Sequence, residues 1–273
     1  MKDGNTFIRE ETLKIVSLSV RKVTPTGLEK IICDKFALEK SSAKQIVRNL
    51  VDTEELVYTN LFGRSFLERS FNRPVKISPR IILCPPHRCT TAEPGEVIVK
   101  IMPGASFGSG EHATTRLCLK AMDHALENAG SPVGSCNTLC LDIGTGSGVQ
   151  VIAAMGLGLG KGIGIDLDPN ALSEAKQNVL LNDMSSKIMI ENIPVSSLTD
   201  SFYLIIANLR YPTLVELSPQ ISRLSEKNGL VVLSGFRPNE SDWISACYEK
   251  AGFEITEHGE ENNWASVVLK NKG

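Results

Sequence analysis

The spacing of apolar residues changes period along this chain, and the changes divide it into regions. Near the start the period is helical: Gly27 to Phe36 puts Leu28, Ile31, Ile32 and Phe36 on one face. A second helical run, opened by Ser41 or Ser42 as the cap, carries Ile46, Val47, Leu50 and Val51. Residues 11–20 alternate well enough for a strand or a short helix. Leu56–Thr59 and Ser65–Glu68, on either side of a turn at Gly63-Arg64, predict a β-hairpin. Breakers then dominate: Pro74, Pro79, Pro85, Pro86, Pro94 and Gly95 give residues 72–95 the density of a linker.

From Glu96–Ile101, a strand, the chain alternates strands and helices, the pattern of an open α/β sheet. A helix begins near Thr114, and a second, Pro169–Leu181, has proline in its first turn. Lys187–Glu191, Phe202–Ala207 and Gly229–Leu233 are predicted strands, the middle one buried on both faces. A helix over Glu240–Ala251 follows, and Phe253–Thr256 with Trp264–Leu269 would close the sheet as a final pair. The front helices and hairpin resemble a winged-helix module. Residues 1–80 are therefore expected as a small α+β domain and residues 81–273 as a second domain, with a leading segment over 81–130 and the sheet over 131–273.

The stretch with the clearest chemistry is Leu139–Val149. An apolar strand ends in Asp142 and turns through Gly144, Gly146 and Gly148, and after a helix-length gap Gly162–Ile165 ends in Asp166. Strand, glycine turn, helix, strand and acid form a nucleotide-binding βαβ unit. Glycines bring the backbone close to a ligand, and the helix aims free N–H groups at it. A dinucleotide fingerprint needs a third glycine five places after the first, where Val149 stands, and no Gly-Lys-Ser/Thr phosphate loop is present. Asp-x-Gly-x-Gly-x-Gly resembles instead the first motif of S-adenosylmethionine-dependent methyltransferases.

Composition narrows the setting. With 42% hydrophobic and 22% charged residues in 273, the chain is expected to be soluble and cytoplasmic, with no membrane-spanning run and no signal-peptide pattern at Met1–Asn5. Seven cysteines, an odd number, point to reduced thiols. A net charge of −2 hides an asymmetry: residues 1–80 hold 15 Lys/Arg against 10 Asp/Glu, and the remainder 14 against 21. The basic front suits an acidic partner such as RNA or DNA, or is a solvated surface. Lys44, Gln45, Arg48 and Asn49 are the polar readers on the second helix, with Asp52, Glu54 and Glu55 just beyond. That balance favours protein docking or dimerisation over DNA reading. Cys84, His87 and Cys89 lack a fourth ligand, so no metal is expected. Gly104-Ala105-Ser106-Phe107-Gly108 matches a hydrolase elbow in letters, but Pro103 stands where a strand would have to run in.

Three islands in order resemble the PrmA family, which methylates amino groups of ribosomal protein L-eleven. They are Phe107-Gly108-Ser109-Gly110-Glu111-His112-Ala113-Thr114-Thr115, the Asp142 turn with Gly164–Pro169, and Ala207-Asn208-Leu209. The resemblance covers residues 81–273 and implies a seven-stranded, Rossmann-like methyltransferase sheet with S-adenosyl-L-methionine as cofactor. It puts Thr115, Gly144, Asp166 and Asn208 against that cofactor.

The residue chemistry is consistent with those roles. Asp166 would take the ribose hydroxyls, while Asp168 is the better helix cap. Asp142 would orient the methionine amino group, directly or through water, and Thr115 would meet its carboxylate or serve as a plain cap. Phe107 and Gly108 border the same site, Phe107 packing over adenine or filling core, and Gly146 belongs to the cradle. Asn208 is the candidate catalytic residue: its amide oxygen would align an acceptor amine for in-line displacement, where positioning supplies most of the rate. His112 is a proton acceptor or, as the better reading, orders its loop.

The family follows its asparagine with a small or apolar pair, whereas this chain has Leu209-Arg210-Tyr211-Pro212. The family's amino-terminal domain resembles a ferredoxin-like fold, which residues 1–80 do not. The expected function is methylation of protein amino groups, with a ribosomal protein as the candidate acceptor. RNA or a small molecule as acceptor, a DNA-binding regulator that senses the cofactor, and a nicotinamide-dependent oxidoreductase are the rivals. The oligomeric state is left open.

Overall fold

The computed structural model describes residues 4–19, 22–61, 63–89, 91–129 and 138–273. Residues 1–3, 20, 21, 62, 90 and 130–137 fall outside them. So do part of the chain start, the end of the 11–20 run and the expected boundary at 130/131.

Two compact units divide between Arg73 and Pro74. In the first, α1 (Gly4–Leu18), α2 (Pro25–Phe36) and α3 (Lys40–Asp52) precede a hairpin of β1 (Leu56–Leu61) and β2 (Arg64–Arg69). The ambiguous run at 11–20 lies mostly in α1, with Leu13 and Val16 buried a turn apart. Thr24 caps α2 by accepting from the Gly27 N–H at 3.1 Å, and Pro25 occupies its first turn. α3 begins one or two residues before the serines expected to cap it. Glu39 is the cap residue, so Ser41 and Ser42 lie inside the first turn. The Leu67 N–H donates to the Val23 carbonyl at 2.8 Å, adding the α1–α2 connection to the hairpin edge. Leu28, Ile32, Val47, Leu50, Leu56 and Leu67 form the centre of this unit's core.

The second unit opens with a three-stranded sheet, β3 (Val75–Lys76), β4 (Ile81–Cys84) and β5 (Val97–Lys100). The proline-dense segment is thus folded rather than a linker: β4 is buried throughout and pairs in parallel with β5 across the loop that carries the breakers. Residues 74–80, expected with the first domain, group with the second unit because β3 pairs with β4.

The main sheet has seven strands. In chain order they are β6 (Leu139–Ile143), β7 (Lys161–Ile165), β8 (Ile188–Glu191), β9 (Phe202–Asn208), β10 (Ser225–Phe236), β11 (Phe253–Glu261) and β12 (Trp264–Asn271). Their spatial order is β11-β12-β10-β9-β6-β7-β8, with only β12 running against the rest. β10 is longer than expected because Ser225 already pairs with Phe202 before a register shift near Gly229.

Helices α4 (Ala113–Asn128), α5 (Val149–Gly156) and α6 (Pro169–Leu181) form one neighbouring set, and α7 (Tyr211–Leu224) and α8 (Ser241–Lys250) the other. Alternation along β6 separates them. Leu141 and Ile143 join the core that α7 and α8 complete, and Cys140 and Asp142 point the other way. Chain order reverses at β6, which has β7 on one side and β9 on the other. That is where an open α/β sheet forms a crevice beyond its carboxyl ends.

Candidate active site

β6 reaches the crevice at Ile143, and the turn after it hangs on the neighbouring strand. The N–H groups of Gly144 and Thr145 both donate to the Ile165 carbonyl at 2.9 Å. Gly146 has φ +54°, and a Cβ there would lie 2.4 Å from the Phe107 carbonyl oxygen, so only glycine fits. The same oxygen accepts from the Ser147 N–H at 2.8 Å. The loop over 104–112 therefore rests its backbone on the turn.

Asp166 follows β7, as the sequence predicts. Its Oδ2 accepts from the Gly146 N–H at 2.9 Å and its Oδ1 from the Asp168 N–H at 3.0 Å. Each oxygen keeps a second acceptor site for a ligand hydroxyl. Asp168 accepts from the Asn170 N–H at 2.9 Å and is the cap of α6. Beside Asp166, Leu167 is 77% exposed, an apolar surface suited to a flat base.

Asp142 is fully buried. The Thr145 hydroxyl donates to its Oδ2 at 2.7 Å, while Oδ1 has no partner. Burial pushes its carboxyl up to about 7, against the opposing hydrogen bond from Thr145. Thr115, in the first turn of α4, is also fully buried with an unpartnered hydroxyl. One turn further, the Cys118 thiol is pushed up by burial and then by the Asp142 charge. Asn208 ends β9, beside β6, with neither amide atom partnered, and the Ser147 hydroxyl in the turn is likewise free. A buried unsatisfied polar group costs about 1–3 kcal/mol, so such a gathering at one crevice marks a ligand site.

The loop's side chains are set as well. His112 caps α4, with Nδ1 accepting from the Thr114 N–H at 3.3 Å and 2.7 Å from the Thr114 hydroxyl. Burial lowers its pKa, with the charges of Arg116 and Arg237 acting the same way, which disfavours the charged imidazolium. The loop-ordering role fits this. The imidazole packs between Phe107 at 5.0 Å and Trp264 at 4.9 Å between centroids. Phe107 is half-exposed and does not fill core. The Arg237 guanidinium lies 3.6 Å from the Trp264 ring centroid and that of Arg210 5.7 Å.

Sequence reasoning missed the residues that hold this loop. Glu174 and Asn178 lie at i and i+4 on α6, and Asn182, its C-cap, stands at i+8. Glu174 accepts from the Ala105 and Ser106 N–H groups at 3.0 and 3.1 Å, which places Ser106 in a tethered loop and not on an elbow. Asn178 accepts from the Met102 N–H and donates to the Ser147 carbonyl. Asn182 bonds both backbone groups of Lys100. Arg116 donates to the Gly110 and Glu111 carbonyls and pairs with buried Glu261, which also takes Lys120. The four-residue polar spacing on α6 was the available signal. Among the described residues, no group of three or more His, Cys, Asp or Glu side chains is placed to hold a metal ion.

The donor set fits S-adenosylmethionine. Asp142 Oδ1 suits an ammonium, the Thr115 hydroxyl a carboxylate, Asp166 a pair of ribose hydroxyls, and the glycine turn a ligand pressed against backbone.

A family model described as ribosomal protein L11 methyltransferase (PrmA) matches residues 66–272. The ribosomal protein L11 methyltransferase of Geotalea daltonii is 32% identical over 226 residues, 81% of this chain and 69% of that protein. Its namesake in Pelobacter propionicus is 30% identical over 198 residues, 72% of this chain and 63% of that one. The crystal structure of ribosomal protein L11 methylase from Lactobacillus delbrueckii subsp. bulgaricus shares the fold. Its TM-score is 0.65 at 24% identity, over 74% of this chain and 100% of the other. The chain thus spans about two thirds of the length of the first two relatives.

Proposed function

The chain belongs to the ribosomal protein L11 methyltransferase (PrmA) family, and we propose that it methylates an amino group of a protein, with a ribosomal protein as the first candidate. S-adenosylmethionine, when bound, supplies a methyl group on a positively charged sulfur. The observation that carries the reading is the set of unpartnered polar atoms on Asp142, Thr115 and Asn208 around the glycine turn.

In this reading Asp166 receives the ribose hydroxyls, Thr115 donates to the methionine carboxylate and Asp142 receives the ammonium. Gly144, Gly146 and Gly108 keep side chains out of the cradle, and Phe107 with Leu167 supplies apolar walls. Asn208 accepts from the acceptor amine and fixes the direction of its lone pair, the positioning on which such a displacement depends.

Residues 1–73 have the order helix, bridging residue, helix, helix and hairpin, which supports a winged-helix module that docks the partner. No helix among the described residues is long and apolar enough to cross a membrane, and a cytoplasmic setting follows from a translation-machinery acceptor.

Calorimetry tests the donor: S-adenosylmethionine should bind and NAD should not, and the reverse would sink the proposal. Labelled-methyl transfer into an extract of cells lacking the protein tests the acceptor. Label in one ribosomal protein is the expected result, whereas label in RNA or in a metabolite would reassign the substrate.

A further inference from the structure

The geometry points to an acceptor amine with carboxylates close by, carried on an acidic peptide segment. This rests on the methyl-transfer reading above and names the acceptor of that same site. Three strand ends bring the relevant groups to the ligand edge. β9 ends at Asn208, and the Leu209 N–H donates to the Ser234 carbonyl at 3.0 Å, which keeps the chain beside β10. Arg210 comes next, exposed at the start of α7. β10 ends at Phe236, Arg237 follows, and Phe236 pairs with Ala265, so Trp264 begins β12 alongside.

Both guanidiniums stand over that one indole, at 3.6 Å for Arg237 and 5.7 Å for Arg210. Arg237 donates one N–H to the Asn263 carbonyl at 2.9 Å. Among the described residues no carboxylate pairs with either guanidinium. The neighbouring acids are engaged elsewhere: Glu240 accepts from the Arg237 backbone N–H, and Glu261 holds Arg116 and Lys120. The ring face offsets part of the repulsion between the two cations. A guanidinium lying on an aromatic face still has its N–H edge free, and that edge matches a carboxylate in two-point geometry.

The consequence for substrate choice has two parts. Acidic side chains flanking the amine would find two donors at the same indole, Arg210 two residues beyond Asn208 and Arg237 after β10. A lysine- or arginine-rich segment would meet like charge, which is a built-in rejection. The same cations disfavour an ammonium at the mouth and favour the neutral amine that displacement requires.

The experiment uses the full chain and two short peptides that present one lysine, flanked by glutamates in the first and by glutamines in the second. Methyl transfer should favour the glutamate peptide by about tenfold in kcat/KM, the scale of a charge-assisted contact, mainly through KM. Arg210→Glu with Arg237→Gln should reverse the preference while S-adenosylmethionine affinity stays within about twofold, since additive effects are expected for separate contacts. Fluorescence anisotropy with protein saturated in S-adenosylhomocysteine reads the same preference without turnover. Equal binding of both peptides, preference for glutamine, or binding of neither overturns the acidic acceptor. Loss of cofactor binding in the unaltered protein would instead count against the methyl-transfer reading.

Discussion

The N–H of Gly146 donates to Oδ2 of Asp166 at 2.9 Å, which joins the middle of the glycine turn to the acid beyond the next strand. That bond orients the carboxylate before any ligand arrives. Asp166→Ala should therefore weaken S-adenosylmethionine binding by 10- to 100-fold, about 1.5–3 kcal/mol for lost hydrogen bonds to a charged group. Asp166→Asn should lose less, since it keeps one acceptor oxygen. Calorimetry on both variants checks the order, and an alanine variant with native affinity would remove Asp166 from the site.

Asn208 separates positioning from binding. Asn208→Ala should keep cofactor affinity within about fivefold and lose about 100-fold or more in turnover, the scale of a lost alignment contact. Single-turnover assays at saturating cofactor make the comparison. Unchanged turnover would refute the assigned role.

The glycine turn predicts a steric result. Gly146→Ala puts a Cβ against the Phe107 carbonyl at a positive φ, and should cost about 1–3 kcal/mol of stability as well as cofactor binding. Urea unfolding of the ligand-free variant measures it. A variant as stable as the parent would mean that the loop gives way easily.

Asp142 makes the protein sensitive to pH. Its folded carboxyl is held up to about 7, whereas in an unfolded chain it titrates near ~4. Between those values the ligand-free native state holds a proton that the unfolded chain has lost. This contribution to stability is full below about pH 4 and disappears as pH rises through about 7. An ammonium pairs with the ionised form, so cofactor affinity should rise over the same upper range. Melting temperature without cofactor should fall from pH 5 to 8, less so in Asp142→Asn, and affinity should climb only in the parent. A flat affinity profile in the parent would detach Asp142 from the ammonium.

Glu174 is the test of the loop tether. Glu174→Ala leaves two backbone N–H groups without their acceptor and should cost about 1 kcal/mol. Amide hydrogen exchange at Ala105 and Ser106 should speed up while the sheet stays protected. Unaltered exchange would show that the loop is held from elsewhere.

Elements with a local signal were legible from the residues alone. Pro169–Leu181 is α6 to the residue, because proline at one end and the apolar face are both local. The Asp142 turn, Asp166 and Asn208 were legible because each stands at or next to the end of an apolar strand. What escaped depends on partners distant in sequence. The breakers at 72–95 concealed β4, whose burial comes from β5 across a loop of more than ten residues. Ser225 joined β10 only because Phe202 lies beside it. Glu174 reads as an ordinary surface acid on a helix until the loop 69 and 68 residues earlier meets it.

The contact between the loop and the turn runs through the Phe107 carbonyl and the Ser147 N–H, backbone atoms that do not depend on the side chain at 107. The half-exposed ring of Phe107 is therefore not what ties the loop to the turn. Trimming it to leucine or alanine would enlarge the donor side and leave the frame in place. That makes position 107 a starting point for accepting sulfonium donors with alkyl groups larger than methyl.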